Sequence, residues 1–279
     1  MNKKALVIEG GGSRGVFSFG VIDSFIKRSF NPFDLHLGVS NGAVVQLWYL
    51  LRESDYNLDK MLFSASKKHI NYKNIFSSKG ALNFEGLYRE ADRLFPIDLD
   101  RLEDHMRAKE FLLVTSDALS RRAEYIVFNR ENYIDQLLAS AALPLLVKKP
   151  VIIQGKRKFD GGITDPLPVS KAYELGAREI VVIRTRGERF LRKTRLENRL
   201  AAMYLRKHPE MVGALLKNAE VYNEAVQFIE NPPDDCRITQ ICPPENYPLN
   251  RTTMDVALMK FGYQLGLGVG ADFLRNYSY

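Results

Sequence analysis

Cysteine is nearly absent: of 279 residues, only Cys236 and Cys242 carry a thiol. The segment between them reads as a strand, and six strand residues separate two backbones by ~20 Å. A disulfide needs less than ~7 Å between Cα atoms, so both thiols are expected to be free. Histidine is sparse too, at His36, His69, His105 and His208, and none has a partner at metal-ligand spacing. Metal catalysis is therefore disfavoured, and no metal or other cofactor is expected. No apolar run approaches the ~18 residues that a membrane helix needs. The apolar stretch Ala5–Ile8 follows a basic start but stops at Glu9, too short for a signal-peptide core. A cytoplasmic chain is the expectation. There is no internal repeat and no low-complexity segment, and 46% hydrophobic with 26% charged residues excludes a disordered or collagen-like chain.

What is present describes an ordinary globular chain with a basic bias. At this length roughly three quarters of the unfolded surface is buried on folding, enough for a core without staples. Lys and Arg number 40 against 33 Asp and Glu, a formal charge of +7. Such a balance favours anionic partners, although many plain enzymes share it.

The order of elements is more informative. Ala5–Ile8 reads as a buried strand, followed at once by Gly10-Gly11-Gly12-Ser13-Arg14-Gly15 and an apolar helix reaching about Arg28. Leu35–Val39 is a second strand, Gly38–Gly42 a tight turn, and Ala43–Arg52 a second helix. Strand, glycine turn and helix, twice over, predict a parallel sheet with helices on its faces. Further along, residues 55–68 and 84–94 read as helices. Phe111–Ser116 and Glu124–Phe128 read as strands, and Tyr133–Ala142 as a helix stopped by Pro144. A hairpin, Val151–Ile153 with Lys156–Phe159, leads into Asp160-Gly161-Gly162. The pattern continues with a helix at Pro168–Leu175 and a strand at Glu179–Ile183. Beyond it come a long amphipathic helix over 210–230, a strand at Ile238–Ile241 and a closing helix over 253–276.

Three of these turns could carry chemistry. Gly38-Val39-Ser40-Asn41-Gly42 fits G-x-S-x-G, in which a nucleophilic serine projects from a sharp strand-to-helix turn too crowded for larger neighbours. The pattern also occurs in ordinary turns, and its place between a strand and a helix is what raises it. Gly10–Gly15 satisfies the dinucleotide fingerprint G-x-G-x-x-G. That reading requires a carboxylate at the end of the second strand, but the strand's only one, Asp34, lies at its entry. The same glycines offer free N–H groups at a helix start, as an oxyanion requires. The oxyanion reading explains both turns together. Asp160-Gly161-Gly162 follows a strand and could bring a carboxylate close to another backbone, or be a simple turn. Ala139–Pro144 is most simply a helix end, with packing before function.

Taken together these pieces resemble the patatin-like phospholipase family. The resemblance rests on Gly10–Gly15 with Arg14, the Gly38–Gly42 elbow, the Ala-Ser-x-Ala-x-Pro stretch at 139–144 and Asp160-Gly161-Gly162, in that order, over about residues 5–184. It implies a three-layer α/β/α fold with a mostly parallel central sheet. It implies a catalytic domain over 1–184, while the pattern of 185–279 reads as a helical, basic segment packed on the same domain, whose role the resemblance leaves open. It further implies a Ser–Asp dyad that hydrolyses acyl esters of lipids. By this carry-over Ser40 is the nucleophile and Asp160 the base. The amides around Gly11, Gly12 and Ser13 form the oxyanion hole, and Arg14 adds positive charge. Asn41 departs from the small residue usual there, which bears on pocket shape. The rival from another class is a non-catalytic nucleotide- or anion-binding module built on Gly10–Gly15.

Two further expectations concern partners and the base. The arginines at 184, 186, 189, 192 and 195 read as a solvated helix face or as a peripheral contact with an anionic membrane surface, each basic residue adding roughly 1 kcal/mol there. Nucleic acid is not expected, because the cluster has few aromatics and no known module surrounds it. His208 is the only histidine after Asp160, so a Ser–Asp–His triad is formally possible. Its polar setting, Arg206-Lys207-His208-Pro209, argues against that, and Asp160 is expected to contact Ser40 directly.

Overall fold

In the computed structural model of the chain, residues 2–54, 57–66, 68–69, 84–144, 151–193 and 209–277 are described. Among the described residues eight strands form one sheet: β1 (Lys3–Ile8), β2 (Leu35–Val39), β3 (Glu110–Asp117), β4 (Ala123–Val127), β5 (Val151–Ile153), β6 (Lys156–Asp160), β7 (Ala177–Ile183) and β8 (Arg237–Ile241). Linked through their hydrogen bonds they run β5-β6-β3-β2-β1-β7-β8, with β4 also on β3. The five from β3 to β8 are mutually parallel, whereas β4 and β6 join β3 antiparallel. The near-continuous apolar runs of β1, β2 and β7 follow from this, since a central parallel strand is covered on both faces.

Side-chain alternation divides the core in two. Leu6 and Ile8 of β1, Val181 and Ile183 of β7, and Phe111 and Leu113 of β3 face one layer, which holds α1 (Val16–Lys27), α2 (Asn41–Leu51) and the C-terminal helix. Ala5, Val7, Leu35, Leu37, Ile180 and Val182 face the other. This is the period-2 alternation of strands, and it builds the three-layer α/β/α sandwich expected from the sequence. Between β2 and β7 the chain forms α3 (Asn57–Ser64), α4 (Phe84–Leu94), α5 (Leu99–Met106), α6 (Tyr133–Ser140) and α7 (Val169–Glu174). Two long helices, α8 (Pro209–Glu230) and α9 (Val256–Asn276), make the C-terminal third mainly helical.

The register around β3 brings remote segments together. Leu112–Val114 pair with β2 on one edge and β4 on the other, while Thr115 and Ser116 exchange β2 for β6. β6 thus continues along the edge that β2 leaves. Val39 faces Val114 and Asp160 faces Thr115, so the residue after β2 and the last residue of β6 arrive at one point. Lys158, almost fully buried, pins β6 there through ion pairs to Asp117 at 2.8 Å and to Glu124.

Helix α9 lies on α1 with the backbones nearly touching. A Cβ on Gly266 would stand 2.1 Å from the Phe17 carbonyl oxygen, and one on Gly20 would stand 2.2 Å from that of Tyr263. Helix α5 was not anticipated from the sequence. Leu102 is its one buried side chain, and Asp98 caps it by accepting the Arg101 N–H at 2.9 Å. Both cysteines are free. Among the described residues, no helix is long and apolar enough to cross a membrane.

Candidate active site

Strands β1, β2 and β7 end level with one another, Ile8 pairing with both Gly38 and Ile183. Their outgoing loops therefore meet. Ser40 sits at the first of these ends with φ 55° and ψ −127°, a backbone state that non-glycine residues avoid. Such a conformation costs of order 1–3 kcal/mol and persists only where the surroundings fix it. Here the Ser40 N–H donates to Ser140 Oγ at 2.9 Å, and Ser140 Oγ donates to the Val114 carbonyl at 2.8 Å. Ser140, read from the sequence as a packing residue, is the clamp of the turn. Space is the second constraint, since a Cβ on Gly42 would lie 2.3 Å from the Ile8 carbonyl oxygen.

The glycine-rich loop closes over Ser40 from β1. A Cβ on Gly10 would meet that of Ser40 at 2.8 Å, so only glycine permits the approach. Asn41 Nδ2 donates to the Gly12 carbonyl at 3.4 Å, and Thr185 Oγ1 donates to that of Gly10 at 3.1 Å. Asn41 thus ties the elbow to the loop as well as lining the cavity. One sequence expectation changes here. The Ser13 N–H is committed to the Arg251 carbonyl at 3.1 Å, which removes it from the set of amides facing Ser40. Arg14 is buried beneath the loop, which continues through Gly15 into α1. Burial first, and Arg186 next, bring its guanidinium down to about 9, while Glu9 opposes the fall.

Asp160 arrives from β6. Its N–H donates to the Ala142 carbonyl at 3.0 Å, and its Oδ1 accepts the Gly162 N–H at 2.7 Å. Gly161 packs against the Val114 carbonyl beneath it. The carboxyl is buried, and desolvation raises its pKa above the ordinary carboxylate value. The Ser40 hydroxyl is the leading group that opposes this rise, followed by the Gly162 amide and the charges of Arg251 and Arg192. Oδ2 is buried with no hydrogen bond of full geometry. Ser40 and Asp160 thus lie together without a hydrogen bond of full geometry between them. From α8, Asn218 Nδ2 donates to the carbonyls of Gly162 at 2.6 Å and Ile163 at 2.9 Å. From the C-terminal third, Asn218 holds the backbone after Asp160 and Arg251 holds that of the glycine-rich loop, and no local sequence pattern marks either.

Ser40 and Asp160 open into a cavity of about 250 Å³. Trp48, Met61, Leu87, Phe95, Ile97 and Leu137 give it an apolar wall, and Arg192 and Arg251 add positive charge. Among the described residues, no histidine lines it. His36 is buried against Gln46, and desolvation holds it neutral, its pKa down to about 3. His208 lies outside the described residues. The arginine segment is also revised. Arg184 is fully buried, donating to Gln240, to Tyr222 and to the carbonyls of Glu188 and Phe190, so it cannot meet a membrane. Arg186 lies over the Phe190 ring, Arg192 turns into the cavity, Arg189 is exposed, and Arg195 is outside the described residues.

The family model described as "Patatin-like phospholipase" matches residues 6–173, and one described as "Domain of unknown function (DUF6363)" matches residues 208–278. The uncharacterized protein YjjU of Escherichia coli (strain K12) is 31% identical over 279 residues, covering 98% of this chain and 77% of its own. Among solved structures, VipD from Legionella pneumophila aligns with 99% of this chain and 67% of its own at 14% identity, with a TM-score of 0.49. The chain belongs to the patatin-like phospholipase family, a family of lipid acyl hydrolases.

Proposed function

We propose that the chain is a serine hydrolase that cleaves acyl esters of phospholipids or related lipids with Ser40 and Asp160 as its catalytic pair. The observation that carries this reading is Ser40 itself: a serine clamped at positive φ, its hydroxyl facing a buried carboxylate. Ser40 Oγ attacks the ester carbonyl while Asp160 accepts the hydroxyl proton. The oxyanion that forms meets the amides of Gly11 and Gly12, each such donor contributing about 10²–10³ in rate. Asp160 then returns the proton to the departing alcohol, and water releases the acid from Ser40 by the same route. A carboxylate of ordinary pKa is a poor base for serine; desolvation strengthens Asp160 as a base. The apolar wall suits an acyl chain.

The alternative, a non-catalytic module that binds an anion on Gly10–Gly15, gives no role to the strain at Ser40 or to Asp160. Peripheral contact with an anionic membrane, carried by the exposed Arg189 and Lys193, accompanies the hydrolase reading. The test is kcat/KM on p-nitrophenyl butyrate. Ser40→Ala is expected to abolish turnover and Asp160→Asn to cost about 10²–10⁴-fold, the usual size of a general base. Undiminished turnover in a folded Ser40→Ala protein would overturn it.

A further inference from the structure

The catalytic cavity contains two guanidinium groups that the hydrolytic steps do not use. Arg192, from the loop after β7, and Arg251, from the loop after β8, both line it beside Ser40 and Asp160. Both lie beyond the residues matched by the phospholipase family model.

Arg192 is fixed along its whole length. Its N–H donates to Asn223 Oδ1 at 2.8 Å, and Asn223 Nδ2 donates back to the Arg192 carbonyl at 3.0 Å. Its guanidinium lies over the Tyr222 ring, 4.1 Å from the centroid, and Nη1 donates to Asn218 Oδ1 at 2.6 Å. Asn218 is the side chain that also holds the loop after Asp160. Arg251 is fixed at its backbone, where it accepts the Ser13 N–H, and its stem packs against Gly12. Its residue is exposed, and its head can reach whatever occupies the cavity mouth.

Guanidinium groups crowd this side of the cavity. Burial first, and then the charges of Arg186 and Arg251, push the Arg14 and Arg192 guanidinium groups down. Among the described residues Glu9, 3.9 Å from Arg192 Nη2, and Asp160 face them, while Asp92 and Lys60 also line the cavity. Glu9 already accepts from the Thr185 N–H at 2.6 Å and from its hydroxyl at 3.2 Å. Crowding like charges in a partly dehydrated cavity is unfavourable, and an anion with several oxygens relieves it. Guanidinium groups match phosphate oxygens in both charge and fork geometry.

We propose that Arg192 and Arg251 form a subsite for a phosphate on the alcohol half of the substrate, so that the enzyme selects phosphate-bearing acyl esters over neutral ones. This rests on the hydrolase reading above. The acyl chain occupies the apolar wall, the ester lies over Ser40, and the phosphate reaches the two arginines.

The test compares kcat/KM for hexanoyl glycerol 3-phosphate and for monohexanoyl glycerol, both used as monomers so that no lipid surface contributes. The intact protein is expected to favour the phosphate ester by about tenfold or more, the worth of a charge-assisted bond. Arg251→Gln is expected to collapse that ratio, and Arg251→Lys to restore part of it. The ratio cancels any loss common to both esters, such as a shift in Asp160. A ratio near one in the intact protein, or one unmoved by Arg251→Gln, overturns the subsite. If neither ester is cleaved, the hydrolase reading fails. The subsite is then read from titrating Ser40→Ala with glycerol 3-phosphate, where loss of binding on adding Arg251→Gln supports it and unchanged binding refutes it. Inorganic phosphate that binds through Arg251 while the ester ratio stays near one would mark a site for free phosphate, refuting the headgroup assignment.

Discussion

Ser140→Ala isolates the clamp on the elbow from the chemistry it supports. Ser140 is completely buried, and its hydroxyl is the partner of the Ser40 N–H and a donor to the Val114 carbonyl. Truncation leaves that N–H unsatisfied in a crowded turn, at a cost of ~1–3 kcal/mol. The strain at Ser40 is of similar size, so the turn loses a main reason to stay at φ 55°. If that free energy is expressed in the placement of Ser40 Oγ, kcat/KM falls by about ten- to a hundredfold, since ~1.4 kcal/mol is a factor of ten. Expressed in stability, it lowers the melting temperature by roughly 2–5 °C in a chain of this size. The assay is p-nitrophenyl butyrate hydrolysis paired with calorimetric melts. A variant within about twofold of the parent in rate, with an unchanged melt, would refute the clamp, because such a shift is under ~0.5 kcal/mol.

His208→Ala is expected to cost less than about tenfold in kcat/KM, under ~1.4 kcal/mol; a thousandfold loss in a folded variant would point to a triad. Asp23 is buried between Tyr263 and Asn57, and desolvation pushes its carboxyl up to about 6. Its folded pKa lies above the unfolded value near 4, so between those pH values the folded chain holds a proton the unfolded chain has lost. Stability from this group therefore rises as pH falls through about 6 toward 4, by roughly 3 kcal/mol in all. Urea titrations at pH 7 and 5 should show part of that gain in the parent and lack it in Asp23→Asn; equal gains in both would refute the assignment. Gly266→Ala drives a Cβ into the Phe17 carbonyl and should cost ~1–3 kcal/mol in calorimetric melts, whereas an unchanged melt would refute the close packing of α9 on α1.

The legible parts of this chain were those written in local pattern. Strand β2 has the bounds expected for it, Leu35–Val39, because a strand buried on both faces is apolar throughout. Strand β1 begins two residues earlier than Ala5. Lys3 and Lys4 pair with β7, but their side chains are partly exposed, so hydrophobicity does not mark them. Helix α5 escaped notice because Leu102 is its one buried residue, although the Asp98 cap was a readable start signal. At the site, the sequence could offer Ser40 and Asp160 by motif and resemblance, but not what holds them. Ser140 looks like any helix end until the fold brings it under Ser40. Asn218 and Arg251 reach the catalytic loops from more than fifty residues away in sequence, and such contacts leave no periodicity. Arg184 misled for a related reason. At the end of a buried strand, its charge is satisfied internally by Gln240, Tyr222 and two carbonyls.

In the proposed chemistry Ser40 is a nucleophile activated by Asp160. A fluorophosphonate probe tests it directly, because it forms a covalent adduct only with an activated serine, and peptide mass spectrometry then locates the adduct. A single adduct is expected on the peptide containing Ser40, with labelling slowed by about 10²-fold or more in Asp160→Asn, as follows when a general base is removed. An adduct on another serine, no adduct in the folded protein, or an equal labelling rate in Asp160→Asn would contradict it.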